Sequence, residues 1–238
     1  MQKIMLNRFI DKYYLGGNCS SVVIKSSGDK LSTRFMSGDK NLLGELTMSN
    51  MKFENVEMGV YNTEQLVKLL SVLSDNINLD LMRVGEKAVA LKVSDSKSKV
   101  NYMLSDLSVI SSPPNMKHIP EFQLKIKVDK VFMDKFVAGK SALPETDNFT
   151  VMTSDDSCQI VIGYAEINTN RVTLPVDTEE LVKIDNVSFN ANLFKDVLVA
   201  NKDCESAILE VSSEGLARIN FKIDDYDATY WLVADTDV

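Results

Sequence analysis

The chain has 238 residues, with 34 acidic against 26 basic side chains, a net charge of −8, and 45% apolar and 25% charged residues. That is the mixture of a packed soluble protein, and it excludes a disordered polyelectrolyte and a protein held to a polyanion by overall positive charge. No apolar run exceeds the five residues Tyr230–Ala234, which excludes a spanning helix, and Met1–Arg8 lacks the apolar stretch of roughly 7–15 residues that marks a secretory leader.

The first predicted element is a helix, because Leu6, Phe9, Ile10 and Tyr13 recur at one helical face. A strand-like run, Ser21–Lys25, follows. The next helix carries Leu66, Leu69, Leu70 and Leu73 behind Asn62-Thr63-Glu64-Gln65, where Asn62 or Thr63 can cap the start. Alternating runs Ile77–Met82 and Ala88–Val93 then read as strands. Beyond the proline-containing segment from Leu107 to Pro120, a third helix places Phe132, Phe136 and Leu143 on one side, with Asp129 as cap and Gly139 as an interruption. Strand-like Gln159–Gly163 leads to a fourth helix with Phe194, Val197 and Leu198 after Asn190, followed by strands Ala207–Val211 and Ala217–Ile223.

From Leu6, Leu66, Phe132 and Phe194 the spacings are 60, 66 and 62 residues, which points to an internal repeat. Each unit reads as a strand, a helix and about three strands, and short alternating runs favour antiparallel meanders with one wet face. The expected fold class is α+β: two similar domains, residues 1–108 and 121–238, joined by a connector over 109–120, each with antiparallel sheets covered by two helices.

Catalytic motifs are scarce. Cys19, Cys158 and Cys204 are far apart and form no Cys-x-x-Cys pair, so buried thiols in a reducing cytosol are expected and no metal site is called from them. His118 is the only histidine, in a proline-flanked connector, and neither Gly-x-x-x-x-Gly-Lys nor Gly-x-Gly-x-x-Gly occurs. The remaining candidates are the carboxylates Asp155-Asp156, Asp224-Asp225 with Asp227, and Asp235 with Asp237. They leave open a metal-dependent nuclease or phosphoesterase, although neighbours on a strand point to opposite faces.

The charge is unevenly placed. Residues 2–14, 62–73, 129–141 and 191–202 hold nine basic and five acidic residues, or +4, against −12 for the rest. One charged helix face is ordinary, but four in equivalent places suggest a shared surface for a polyanion. A β-rich phage structural or adaptor protein with solvated basic helices is the remaining alternative.

Three stretches carry a likeness to a known family. Met36-Ser-Gly-Asp-Lys-Asn-Leu-Leu-Gly-Glu-Leu-Thr47, Met58-Gly-Val-Tyr-Asn-Thr-Glu-Gln-Leu-Val-Lys-Leu-Leu70 and Phe221-Lys-Ile-Asp-Asp-Tyr-Asp-Ala-Thr-Tyr-Trp-Leu-Val-Ala234 occur in the family's order. With the repeat and the length, the chain resembles the DNA sliding clamps, of the T-even-type phage clamp and proliferating cell nuclear antigen kind. The resemblance implies a homotrimeric, pseudo-sixfold ring without enzymatic activity or cofactor, in the bacterial host cytoplasm if phage-encoded. It would serve as a DNA polymerase processivity factor.

The partners it implies are double-stranded DNA held without sequence preference, a replicative DNA polymerase, an ATP-dependent clamp loader and further copies of the chain, with no membrane. Lys3, Arg8, Lys12, Lys68, Lys130, Lys135, Lys140, Lys195 and Lys202 would face the DNA. An apolar pocket for a partner peptide would draw on Met36, Leu42, Leu43, Leu107, Val109, Ile110, Leu216, Trp231, Leu232 and Val233. Asn41 departs from the small apolar residue of the eukaryotic-type pattern. Subunits would pair through edge strands at about Lys97–Leu104 and Asn170–Val176.

Overall fold

The computed structural model describes residues 1–165, 167 and 169–235. Four α-helices form where the apolar periodicity places them: α1 (Lys3–Tyr14), α2 (Thr63–Ser71), α3 (Lys130–Ala142) and α4 (Ala191–Ala200). Three start with a side-chain cap, because Asn62, Asp129 and Asn190 accept the backbone N–H of Gln65, Phe132 and Leu193.

Each helix is followed by three strands. They are β1 (Val22–Ser27), β2 (Lys30–Met36) and β3 (Leu42–Met48) after α1, and β5 (Asn78–Val84), β6 (Lys87–Ser94) and β7 (Lys99–Met103) after α2. After α3 come β9 (Asn148–Thr153), β10 (Cys158–Ile162) and β11 (Val172–Val176), and after α4 come β13 (Ser206–Ser212), β14 (Leu216–Ile223) and β15 (Tyr226–Val233). A leading strand precedes three of the helices: β4 (Val56–Val60), β8 (Leu124–Asp129) and β12 (Val187–Asn190). The first repeat has only an isolated bridge in that place, Gln2 with Asn76.

The chain divides into two compact units. The first comprises Met1–Met36, Glu45–Pro114 and Asp225–Asp227; the second comprises Ser37–Gly44, Asn115–Asp224 and Ala228 onward. Within the first, β4-β1-β2-β3 and β5-β6-β7 are separate antiparallel sheets; within the second, the orders are β8-β13-β14-β15 and β12-β9-β10-β11.

The repeats in each unit exchange their leading strands. β4, which leads the second repeat, pairs with β1 of the first, with Ile24 opposite Met58. In the second unit, β8 pairs with β13 of the fourth repeat, with Leu209 opposite Ile126, and β12 pairs with β9 of the third, with Phe149 opposite Phe189.

Helices and sheets meet over aromatic cores. In the first unit, Phe9 and Tyr13 of α1 are fully buried, their rings edge-on with centroids 5.9 Å apart. The Tyr13 hydroxyl lies 3.3 Å from Thr63 Oγ1, and burial holds that phenol well above its ordinary pKa. In the second unit, Phe136 of α3 stands edge-on to Phe194 of α4 at 4.9 Å and to Phe149 of β9 at 5.2 Å. Asn201 ties the end of α4 to the sheet by donating to the Tyr230 hydroxyl at 2.9 Å.

Gly59 meets a close approach that leaves no room for a Cβ, and Gly139 meets a tight one. A Cβ on Gly59 of β4 would stand 2.4 Å from the Ser105 carbonyl oxygen, and a Cβ on Gly139 of α3 would stand 3.0 Å from Val172 Cγ1 of β11. The interruption expected at Gly139 is therefore a site of tight helix-to-strand packing, and α3 runs through it unbroken.

Candidate nucleic-acid interface

The nine cations assigned to the helices separate into those the fold uses internally and those it leaves at the surface. Two must be withdrawn from the surface. Lys12 is 1% exposed, with its ammonium 5.6 Å from the centroid of the Tyr226 ring. Lys140 is 3% exposed and donates to the carbonyl oxygens of Leu143 and Pro144, both at 3.1 Å. It satisfies carbonyls at the C-terminal end of α3, where a cation also complements the helix dipole.

Others are partly engaged. Lys3 donates to the Leu73 carbonyl, and Arg8 stacks over Tyr226 at 4.9 Å. Lys68 stands at the outward face of α2, 2.5 Å from Glu64 one turn back. Each holds the other charged, Glu64 below and Lys68 above its ordinary pKa, through their hydrogen bond and charge attraction. Lys130 and Lys202 are exposed and Lys195 is half-buried. Lys135 is exposed on the wall of a cleft of about 710 Å3, shared with β11 and β13.

The residues assigned to a peptide pocket also differ in exposure. Leu42, Leu43, Ile110, Trp231 and Leu232 are buried; Met36 and Leu216 are half-buried; Leu107, Val109 and Val233 are exposed. In the second unit, Val233 donates its N–H to the Asn41 carbonyl at 2.9 Å, which sets that loop against the end of β15. The indole N–H of Trp231 is buried and has no acceptor among the described residues.

The carboxylate clusters do not converge. Asp155 pairs with Lys183 at 3.1 Å, while Asp225 accepts the Asn50 side-chain N–H at 2.6 Å. Asp224 occupies the left-handed turn between β14 and β15, and Asp237 lies outside the described residues. Among the described residues no three His, Cys, Asp or Glu side chains are grouped to hold a metal ion, so the nuclease alternative is not favoured. All three cysteines are buried free thiols, and burial pushes Cys158 up to about 11. No helix among the described residues is long and apolar enough to cross a membrane.

Sequence reading did not single out Tyr226, whose ring receives both Arg8 and Lys12 and whose hydroxyl donates to the Met5 carbonyl at 2.7 Å. Its place in the C-terminal strand pair was visible, but its partners lie in the first helix.

β7 and β11 each end a sheet and coincide with the two stretches expected to pair between subunits. Beyond them, Ser105 bridges to Gly59 of β4 and Thr178 to Ile126 of β8, so the chain turns back in the same way after each strand.

No protein-family model and no curated protein matches the sequence. In structure, the chain is similar to the crystal structure of proliferating cellular nuclear antigen from Entamoeba histolytica, with a TM-score of 0.74, 16% identity, and coverage of 98% of this chain and 96% of that one. At that identity the likeness speaks for the fold: antiparallel sheets and four helices, built as two repeats in each of two units, are arranged in the DNA clamp fold.

Proposed function

We propose that this chain is a sliding clamp: three copies close head to tail around double-stranded DNA and tether a replicative DNA polymerase to it. The observation that carries this reading is the near-full-length likeness to a proliferating cellular nuclear antigen, since a partial match would leave half of such an assembly unexplained. Residues 1–108 and 121–238 act as the two clamp domains, with 109–120 as connector. The protein has no catalytic step of its own, an ATP-dependent loader opens it, and a phage-encoded origin would place it in the bacterial host cytoplasm.

A clamp must enclose DNA without gripping a sequence. Lysines that touch phosphates exchange partners at little cost, whereas base-edge contacts would fix a register. Lys130, Lys195 and Lys202 suit that task, together with Lys68 and Arg8 once phosphate competes with their present neighbours. Lys12 and Lys140 are omitted because they are committed inside the fold. The outward helix faces also carry Asp11, Glu64, Asp134 and Asp196, so attraction for DNA is weak and retention is topological. Leu107, Val109 and Val233, the exposed members of the apolar group, are offered to a client peptide.

The test loads the protein on nicked circular DNA with a clamp loader and then linearises the DNA at moderate salt. A clamp remains on the circle and is lost after cutting; equal retention before and after would overturn the reading.

A further inference from the structure

An arginine in an equivalent place in each unit holds one end of the connector. In the first unit, Arg34 of β2 donates from Nη2 to the Pro114 carbonyl at 3.0 Å, while its Nε donates to Glu45 of β3, also at 3.0 Å. In the second unit, Arg218 of β14 places its guanidinium 4.8 Å from the centroid of the Phe122 ring, while its Nε donates to Glu210 of β13 at 2.6 Å. Next to Phe122 in the chain, the Gln123 side chain accepts the backbone N–H of Ser213 at 3.0 Å. β2 and β14 are each the second strand after their helix, in the first and the fourth repeat.

The shape of the guanidinium makes this double use possible. It is planar with donors on two edges, so a glutamate on Nε fixes the plane while the far edge or the face holds the connector. Exposed ion pairs contribute little stability by themselves, so these two glutamates matter more for aim than for energy. Glu210 stands directly opposite Arg218 in the β13–β14 register. Under the first end the connector stands off the sheet: a cleft of about 410 Å3 is lined by Val23 and Leu46 from the strands and by Ser112 and Pro113 from the connector. Two consecutive prolines stiffen that approach, so holding the Pro114 carbonyl holds the residues before it as well.

We infer that the connector is a strap with two arginine fastenings, Arg34 at Pro114 and Arg218 at Phe122, and that residues 116–121 between them are its slack. Those residues lie outside the helices and strands, and Lys117, His118, Ile119 and Glu121 are exposed. Each fastening sets how far the slack extends. Without Arg34 the loose chain reaches back to buried Ile110, and without Arg218 it reaches forward to Leu124, where β8 begins. The two arginines are thus positioning residues for the connector, and the inference concerns the single chain, independent of the clamp reading.

The experiment follows the full chain by trypsin cleavage after Lys117 and by hydrogen exchange read by mass spectrometry. It compares the wild type, Arg34→Met, Arg218→Met, the double variant and Lys25→Met. Methionine keeps an apolar stem and removes the donors. Lys25, whose ion pair with Glu57 at 3.2 Å joins β1 to β4, is the control. Each arginine variant should speed cleavage about tenfold, and the double variant more than either, because proteolysis tracks the population of released chain. Exchange should rise within residues 111–123, while the amides of β2 and β14 exchange as in the wild type. Unchanged cleavage in the arginine variants, or an equal acceleration in Lys25→Met, would overturn the inference. Faster exchange spreading through β2 or β14 would overturn it too, since the arginines would then support the sheets rather than the connector.

Discussion

The guanidinium of Arg8 lies 4.9 Å above the centroid of the Tyr226 ring, joining the first helix to the turn that opens the last strand. Tyr226 is buried, and its hydroxyl donates to the Met5 carbonyl, so one side chain serves as platform and tether. Tyr226→Phe should keep the platform and cost about 1 kcal/mol for the lost hydrogen bond. Tyr226→Ala should cost about 3–5 kcal/mol by removing a buried ring. Urea unfolding monitored by circular dichroism distinguishes the two; equal losses would mean that the ring carries no weight of its own.

Lys140 and Lys195 should behave oppositely on substitution. Lys140→Met removes the donor to two carbonyls and should lower stability by about 1–3 kcal/mol, while the folded protein keeps its retention on circular DNA. Lys195→Glu should leave stability within about 0.5 kcal/mol and shorten retention. Reduced retention by folded Lys140→Met would return that residue to the DNA-facing set.

Tyr230 and Trp231 are neighbours with contrasting polar ends. The Tyr230 hydroxyl receives Asn201, whereas the Trp231 indole N–H has no acceptor among the described residues although Trp231 is only 7% exposed. Tyr230→Phe should therefore cost about 1–3 kcal/mol, since the buried Asn201 amide loses one acceptor and keeps its bond to the Val197 carbonyl. Trp231→Phe should cost less than the loss of so large a ring would suggest, because relieving a buried orphan donor offsets part of the cavity. Thermal unfolding of both variants checks the order; a larger loss for Trp231→Phe would contradict it.

Asp95 accepts the backbone N–H groups of Ser74, Lys97 and Ser98, and these bonds hold its carboxyl well below the usual carboxylate range. A carboxyl depressed in the folded state contributes stability above its unfolded pKa of about 3.9 and loses it as pH falls toward the folded value. Wild type should weaken in that acid window. Asp95→Asn should be less stable at neutral pH and should lose less on acidification. Chemical unfolding at pH 7 and pH 3 measures both slopes, and parallel slopes would count against the role of this carboxylate.

The helices were legible because local rules set them. The apolar spacing located all four, and Asn62 and Asp129 were readable as caps since a cap needs only the residues that follow it. Lys140 was readable too, being in line with Phe132 and Phe136 at intervals of four, on the stripe that becomes buried. Lys12 was not, because the ring beside it comes from the opposite end of the chain. The exchange of leading strands was also hidden: alternation marks β4, β8 and β12 as strands but does not name their partners. The sheet-ending strands β7 and β11 were expected only through the family likeness, since neither period nor charge marks them.

That exchange of leading strands has a bearing on how such a chain could have arisen. A solitary repeat of some sixty residues would lack the strand that borders its own sheet and would project one with nowhere to dock. Its smallest self-sufficient form is a reciprocal couple, so an ancestral single-repeat chain would have needed a sister before any gene fusion joined them. Cutting the present chain between α1 and α2 should accordingly give fragments that are soft when separate and that complement one another when mixed.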